Sequence, residues 1–187
     1  MSRCLLWAAC LLLLAGCVAD PRPRPYAYPR IELPPHRYQA FDRPECPFTF
    51  EYPVYGQLED QRIDSCFFNL YFPRFDCRWH ITARTLDPAR GVTYHFTLED
   101  FRQLVHKHTR KGSVYESYIE TPHGRGVFYE LYGEVPTSAD FFFSDSAHYA
   151  LTTSFYFNTA LRNDSLKPVI DYMKRDLLHM VETLRWK

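Results

Sequence analysis

Val114-Tyr-Glu-Ser-Tyr-Ile-Glu-Thr121, Pro122-His-Gly-Arg-Gly126, Val127-Phe-Tyr-Glu-Leu-Tyr-Gly-Glu134 is the stretch whose reading decides the fold. Two runs rich in β-branched and aromatic residues flank a short segment holding proline and two glycines, which predicts a β-hairpin. Two more such runs follow, Ala139 to Ser144 and Tyr149 to Phe157, split by Asp145-Ser146. Connections this short join antiparallel neighbours, so the four runs predict a meander. In the last of them Tyr149, Leu151, Thr153, Phe155 and Phe157 share one face.

Working outward, three earlier runs predict strands at Phe48 to Pro53, Cys66 to Phe72 and Cys77 to Arg84. In the third, Trp79, Ile81 and Ala83 face one way and His80, Thr82 and Arg84 the other, the alternation of a half-buried strand. Between the two strand groups a helix is expected, with Thr97 as N-cap, Glu99 and Asp100 in its first turn, and Gly112 as its stop. Leu98, Phe101, Leu104, Val105 and His108 carry its apolar spacing. A last helix follows the caps Asn163-Asp164-Ser165, with Pro168 tolerated where helical amides have no partner. Val169, Ile170, Met173, Leu177, Met180, Val181 and Leu184 form its stripe, and Asp171 and Arg175 are spaced for a weak pair on the polar side. The order predicts an α+β domain: an antiparallel sheet of about six to seven strands with a middle helix and a C-terminal helix packed on it.

The N-terminus carries an address rather than structure. Residues 1–16 hold one positive charge at Arg3, an apolar run from Leu5 to Leu14, and the small pair Ala15-Gly16 before Cys17. That is the layout of a secretory signal peptide, and the run is too short to span a bilayer. Because the small pair leads into cysteine, Cys17 is expected to be the lipidated first residue of the mature protein. Each acyl chain contributes about 0.8 kcal/mol per buried methylene, so two or more chains anchor stably. Residues 17–35 then form a tether with proline at 21, 23, 25, 29, 34 and 35, dense enough to hold polyproline II. Tyr26 and Tyr28 would be its anchors if it were itself a docking ligand, but a plain spacer is the simpler account. The domain is assigned to residues 36–187.

Lysine plus arginine balances aspartate plus glutamate at 22 each, so no net field attracts nucleic acid or an anionic membrane surface. Fifteen phenylalanines and fourteen tyrosines favour a sheet-rich core. Of the six cysteines, Cys4 and Cys10 leave with the leader and Cys17 is acylated, leaving Cys46, Cys66 and Cys77 in an oxidising compartment. Three single pairings are open. Cys46 with Cys66 is favoured because each opens a candidate strand, and closing that loop of about 20 residues stabilises by about 3 kcal/mol. Zinc is not expected, since no CxxC spacing occurs.

Catalytic groupings are present only as letters. Ser144, Asp145, Ser146 and His148 contain the members of a triad but lack a strand-turn-helix elbow, so they read as a turn. His106 and His108 stand two apart on a helix, point in different directions and cannot share a metal; His108 reads as a packed histidine. Gly124-Arg125-Gly126 is explained by a hairpin turn rather than an anion nest.

Several segments together resemble the GldD-type gliding-motility lipoproteins of Bacteroidota. They are the box ending at Cys17, Cys46-Pro-Phe-Thr-Phe-Glu-Tyr-Pro-Val-Tyr55, Cys66-Phe-Phe-Asn-Leu-Tyr-Phe-Pro-Arg-Phe75, Lys107-His-Thr-Arg-Lys111, Tyr156-Phe-Asn158, Asn163 to Ile170, and Glu182 to Lys187. The resemblance implies a non-enzymatic component or assembly factor of the gliding and type IX secretion machinery, with other envelope proteins of that machinery as partners. It implies a lipid anchor, with the outer membrane facing the periplasm preferred over the inner membrane. The element order is similar to the Mog1/PsbP-like fold, which says little about function. Cys77 departs from the family pattern, which adds to the case for Cys46 with Cys66. His108, Thr109 and Lys111 are the candidate interaction surface. No metal, cofactor, nucleic acid or small-molecule substrate is expected. The alternative function is a periplasmic module that binds glycan or peptide on Tyr115, Tyr118 and Tyr132, although half-buried sheet packing is the simpler expectation for those rings.

Overall fold

The run Ala139 to Ser144 lies in a strand buried along its whole length, which requires a covering layer on each side of its sheet. The computed structural model describes residues 31–62, 66–109, 112–133, 135, 137–158 and 163–187. In chain order the elements are β1 (Tyr38–Asp42), β2 (Phe48–Pro53), β3 (Gln57–Arg62), β4 (Phe67–Phe72), β5 (Cys77–Thr85), α1 (Tyr94–His108), β6 (Gly112–Thr121), β7 (Gly124–Gly133), β8 (Thr137–Ser144), β9 (Tyr149–Phe157), α2 (Asn163–Thr183) and β10 (Arg185–Trp186). Seven strands form one antiparallel sheet in the order β3-β4-β5-β9-β8-β7-β6. The expected meander is its β6 to β9 half. β5 joins β9, so the earlier hairpins extend the sheet from the meander's last strand.

Phe48 to Pro53 is a strand as expected but lies outside this sheet. It pairs with β1 and β10 in a separate three-stranded sheet. That small sheet and α2 cover one face of the large sheet through a single core. In that core Phe41 stacks on Phe68 at 4.7 Å, and Trp79 stacks on Phe155 at 4.7 Å. All seven expected stripe residues of α2, from Val169 to Leu184, are buried there. α1 covers the opposite face over β7 and β8, where Phe101 and Val105 pack with Val127, Tyr129 and Phe142. Phe141 and Phe143 therefore enter one core while Phe142 enters the other.

Local departures from expectation have identifiable causes. Thr93, not Thr97, caps α1: its hydroxyl accepts from the Phe96 amide at 3.2 Å, and Thr97 lies inside, donating to the Thr93 carbonyl at 2.9 Å. The two threonines are one turn apart, and the acids Glu99 and Asp100 drew the expected start inward. α1 ends at His108, and Gly112 opens β6 instead of stopping the helix. A Cβ on Gly112 would sit 2.2 Å from the Tyr132 carbonyl oxygen, so the close approach of β7 requires glycine there. Gly126 is constrained likewise, 2.3 Å from the Phe142 oxygen. α2 starts at Asn163, which puts Pro168 inside the helix. Asp171 pairs with Lys167 at 2.7 Å and approaches Lys174 at 3.8 Å, and these replace the expected Arg175 pair. The side chains of 163–165 lie outside the described residues.

Cys46 and Cys66 form a disulfide with Cα atoms 5.4 Å apart, tying the entry of β2 to the start of β4. Cys77 is free and fully buried, and burial pushes its thiol far above the usual range. Replacing both Cys46 and Cys66 with alanine is expected to cost about 3 kcal/mol, read from the shift of the denaturant midpoint. Cys77 should react with a thiol reagent only after unfolding, as mass spectrometry of its peptide would show.

Candidate functional site

Ile31 to Lys187 fold as one unit, so the last residues of the expected 17–35 tether belong to the domain. Ile31 packs against the main core and Tyr172 donates to the Pro34 carbonyl. The organising contact of this strap is Asp176 on α2, which is 0% exposed. Its carboxylate lies 2.6 Å from His36 Nδ1 and accepts from the Tyr38 hydroxyl at 2.9 Å and from the Tyr55 hydroxyl. His36 stacks on Tyr172 and Tyr38 on His179. Burial, then the bonds to Asp176, push both phenols upward, so Tyr38 and Tyr55 remain donors. A buried carboxylate is tolerated only with such partners. Sequence reasoning missed it, although Asp176 stands within the apolar stripe between Met173, Leu177 and Met180. Asp176→Ala leaves three groups without their acceptor and is expected to lose about 2–4 kcal/mol. Tyr55→Phe should lose about 1 kcal/mol, both variants being read by urea titration.

The second face of the large sheet is polar where α1 does not cover it. Register places Glu59, Asn69, His80, Ser154 and Asp140 side by side from β3 to β8. Arg78 on this face bonds Glu59 at 2.9 and 3.2 Å and lies over the Tyr71 ring at 4.1 Å. His80 meets Tyr156 edge to face, and burial together with Arg78 lowers its pKa. Between this surface and α1 runs a groove of about 370 Å³ lined by His80, Thr82, Arg84, Asp100, Leu104, Thr152 and Ser154, among others.

The expected site residues are placed as follows. Cys17 lies outside the described residues, as do Tyr26, Tyr28 and Lys111, and so does the side chain of His108. Thr109, expected at an interaction surface, is buried: its hydroxyl donates to the Val105 carbonyl at 2.8 Å and caps the end of α1. The Ser144 to His148 group is a turn. Asp145 accepts from the amides of Ala147, His148 and Tyr149 at 2.8–2.9 Å, and Ser144 donates to the Tyr149 carbonyl. Among the described residues, no cluster of three or more His, Cys, Asp or Glu is placed to hold a metal. Tyr115 and Tyr118 are 62% and 74% exposed, so the half-buried packing expected of them does not hold; β6 is an edge strand, and Arg102 of α1 reaches only the Tyr118 hydroxyl and Glu116.

Beside these tyrosines, Glu130 accepts from Tyr132 and pairs with Lys174 at 2.6 Å. Burial opposes its charge, but the bonds from Lys174 and Tyr132 prevail and lower its pKa. A lowered folded-state carboxyl contributes stability above its unfolded pKa and loses it as pH falls through the folded one. Glu130→Gln should therefore reduce the stability difference between about pH 6 and about pH 3, measured by thermal unfolding.

The profile of the family described as gliding motility lipoprotein GldD matches residues 18–186. No curated protein matches the chain. Among solved structures, the Ran-binding protein Mog1p of Saccharomyces cerevisiae is 9% identical, with a TM-score of 0.50 over 81% of this chain and 96% of that one. Cyanobacterial PsbP (CyanoP) from Synechocystis sp. PCC 6803 is also 9% identical, with a TM-score of 0.49 over 83% and 95%. At this identity the Mog1p likeness speaks to the fold alone.

Proposed function

We propose, since the chain belongs to the gliding motility lipoprotein GldD family, that it acts as a non-enzymatic component or assembly factor of the gliding and type IX secretion machinery. The family match over residues 18–186 carries the reading, because it takes in all of the folded unit but Lys187 and begins next to Cys17. As a gliding motility lipoprotein the chain is lipid-anchored in the cell envelope. The outer membrane facing the periplasm is the proposed side, with other envelope proteins of the same machinery as partners. The non-enzymatic reading is supported by the fate of the Ser144 to His148 group, whose polar atoms are spent on holding a turn.

A deletion strain is expected to lose both gliding and export of type IX cargo; normal export with loss of gliding alone would remove the secretion role. Cys17→Ala should move the protein out of the membrane fraction while its domain stays folded, because the core begins at Ile31. Retention of that variant in membranes would point to a second attachment.

A further inference from the structure

α1 covers β7 and β8 but leaves the second face of β5 and β9 open, and the groove between them has the size of small-ligand sites, roughly 300–1,000 Å³. Its floor presents the hydroxyls of Thr82, Thr152 and Ser154. Among the described residues, none hydrogen-bonds these three side chains. A hydroxyl both donates and accepts, so a cluster of them complements a ligand whose own groups do the same.

Charge argues against an anion. Arg84 faces Asp100 at 3.4 Å, and burial together with Arg78 disfavours charge on His80. An extended peptide is disfavoured because β5 and β9 are interior strands, their main chains paired on both sides. Leu104, 47% exposed, and Phe101 supply an apolar wall against which the C–H face of a ring can lie.

We infer that this groove binds a short neutral oligosaccharide, with its hydroxyls on Thr82, Thr152 and Ser154 and its apolar face on Leu104 and Phe101. The site is additional to the assembly role and does not depend on it. Full-length protein in a detergent without a sugar headgroup would be titrated calorimetrically with N-acetylchitotriose, maltotriose and mannotriose, with glucose 6-phosphate and trialanine as anionic and peptide controls. At least one trisaccharide should bind saturably and more tightly than either control. Thr152→Val with Ser154→Ala should weaken it at least about tenfold. Leu104→Arg, at an exposed helix position, should abolish it while near-UV circular dichroism stays native. Tyr115→Ala with Tyr132→Ala should leave it unchanged. No binding by any of the three sugars, binding indifferent to the floor and Leu104 variants, tighter binding of a control, or loss on removing the tyrosines would each overturn the assignment.

Discussion

Burial of β8 on both faces is the constraint from which the rest of the architecture follows. Phe141 and Phe143 point into one core and Phe142 into the other, so neither side of the meander can be left to water. One helix suffices on the side of Phe142 because the apolar surface there spans little beyond β7, β8 and the start of β9. The opposite side carries Phe68, Leu70, Phe72, Trp79, Ile81 and Phe155 as well, and a single helix is too narrow to cover it. The small sheet of β1, β2 and β10 supplies the missing cover, which explains why a second sheet exists at all. The asymmetry has a chemical result: the second face becomes polar at β5, where the helix ends its reach, and a groove forms along that line.

Asp176 belongs to the same logic. A small sheet whose first strand is five residues long, next to the expected tether, has little to hold it in place by main-chain pairing alone. A buried carboxylate on α2 fixes the strap to the helix through His36 and Tyr38 and ties in the turn after β2 through Tyr55. The disulfide from Cys46 to Cys66 fixes the small sheet to the large one further along. The two links are complementary, one polar and one covalent.

Much of the fold was legible in the residues. The β6 to β9 meander, the alternation of β5 and the stripe of α2 follow from periodicities of two and 3.6 that solvent exposure enforces. What escaped has physical reasons. β3, Gln57-Leu-Glu-Asp-Gln-Arg62, is a polar edge strand that exists because β4 offers it a free edge, and its composition contains no strand preference. The separate small sheet was invisible because alternation shows which residues are buried but not against which layer. For the site, the pairing of Cys46 and Cys66 was open to reasoning from the strands. The groove was not, since Thr82, Ser154 and His80 become neighbours of Asp100 and Leu104 only through long-range register and helix docking.

The two faces consequently divide the work. On one, the strap, Asp176 and the disulfide lock the chain that leads to the anchor, and their polar atoms are committed to one another. On the other, the three groove hydroxyls remain uncommitted among the described residues. Retaining polar side chains in a half-covered sheet face makes sense where something outside the chain completes their bonds.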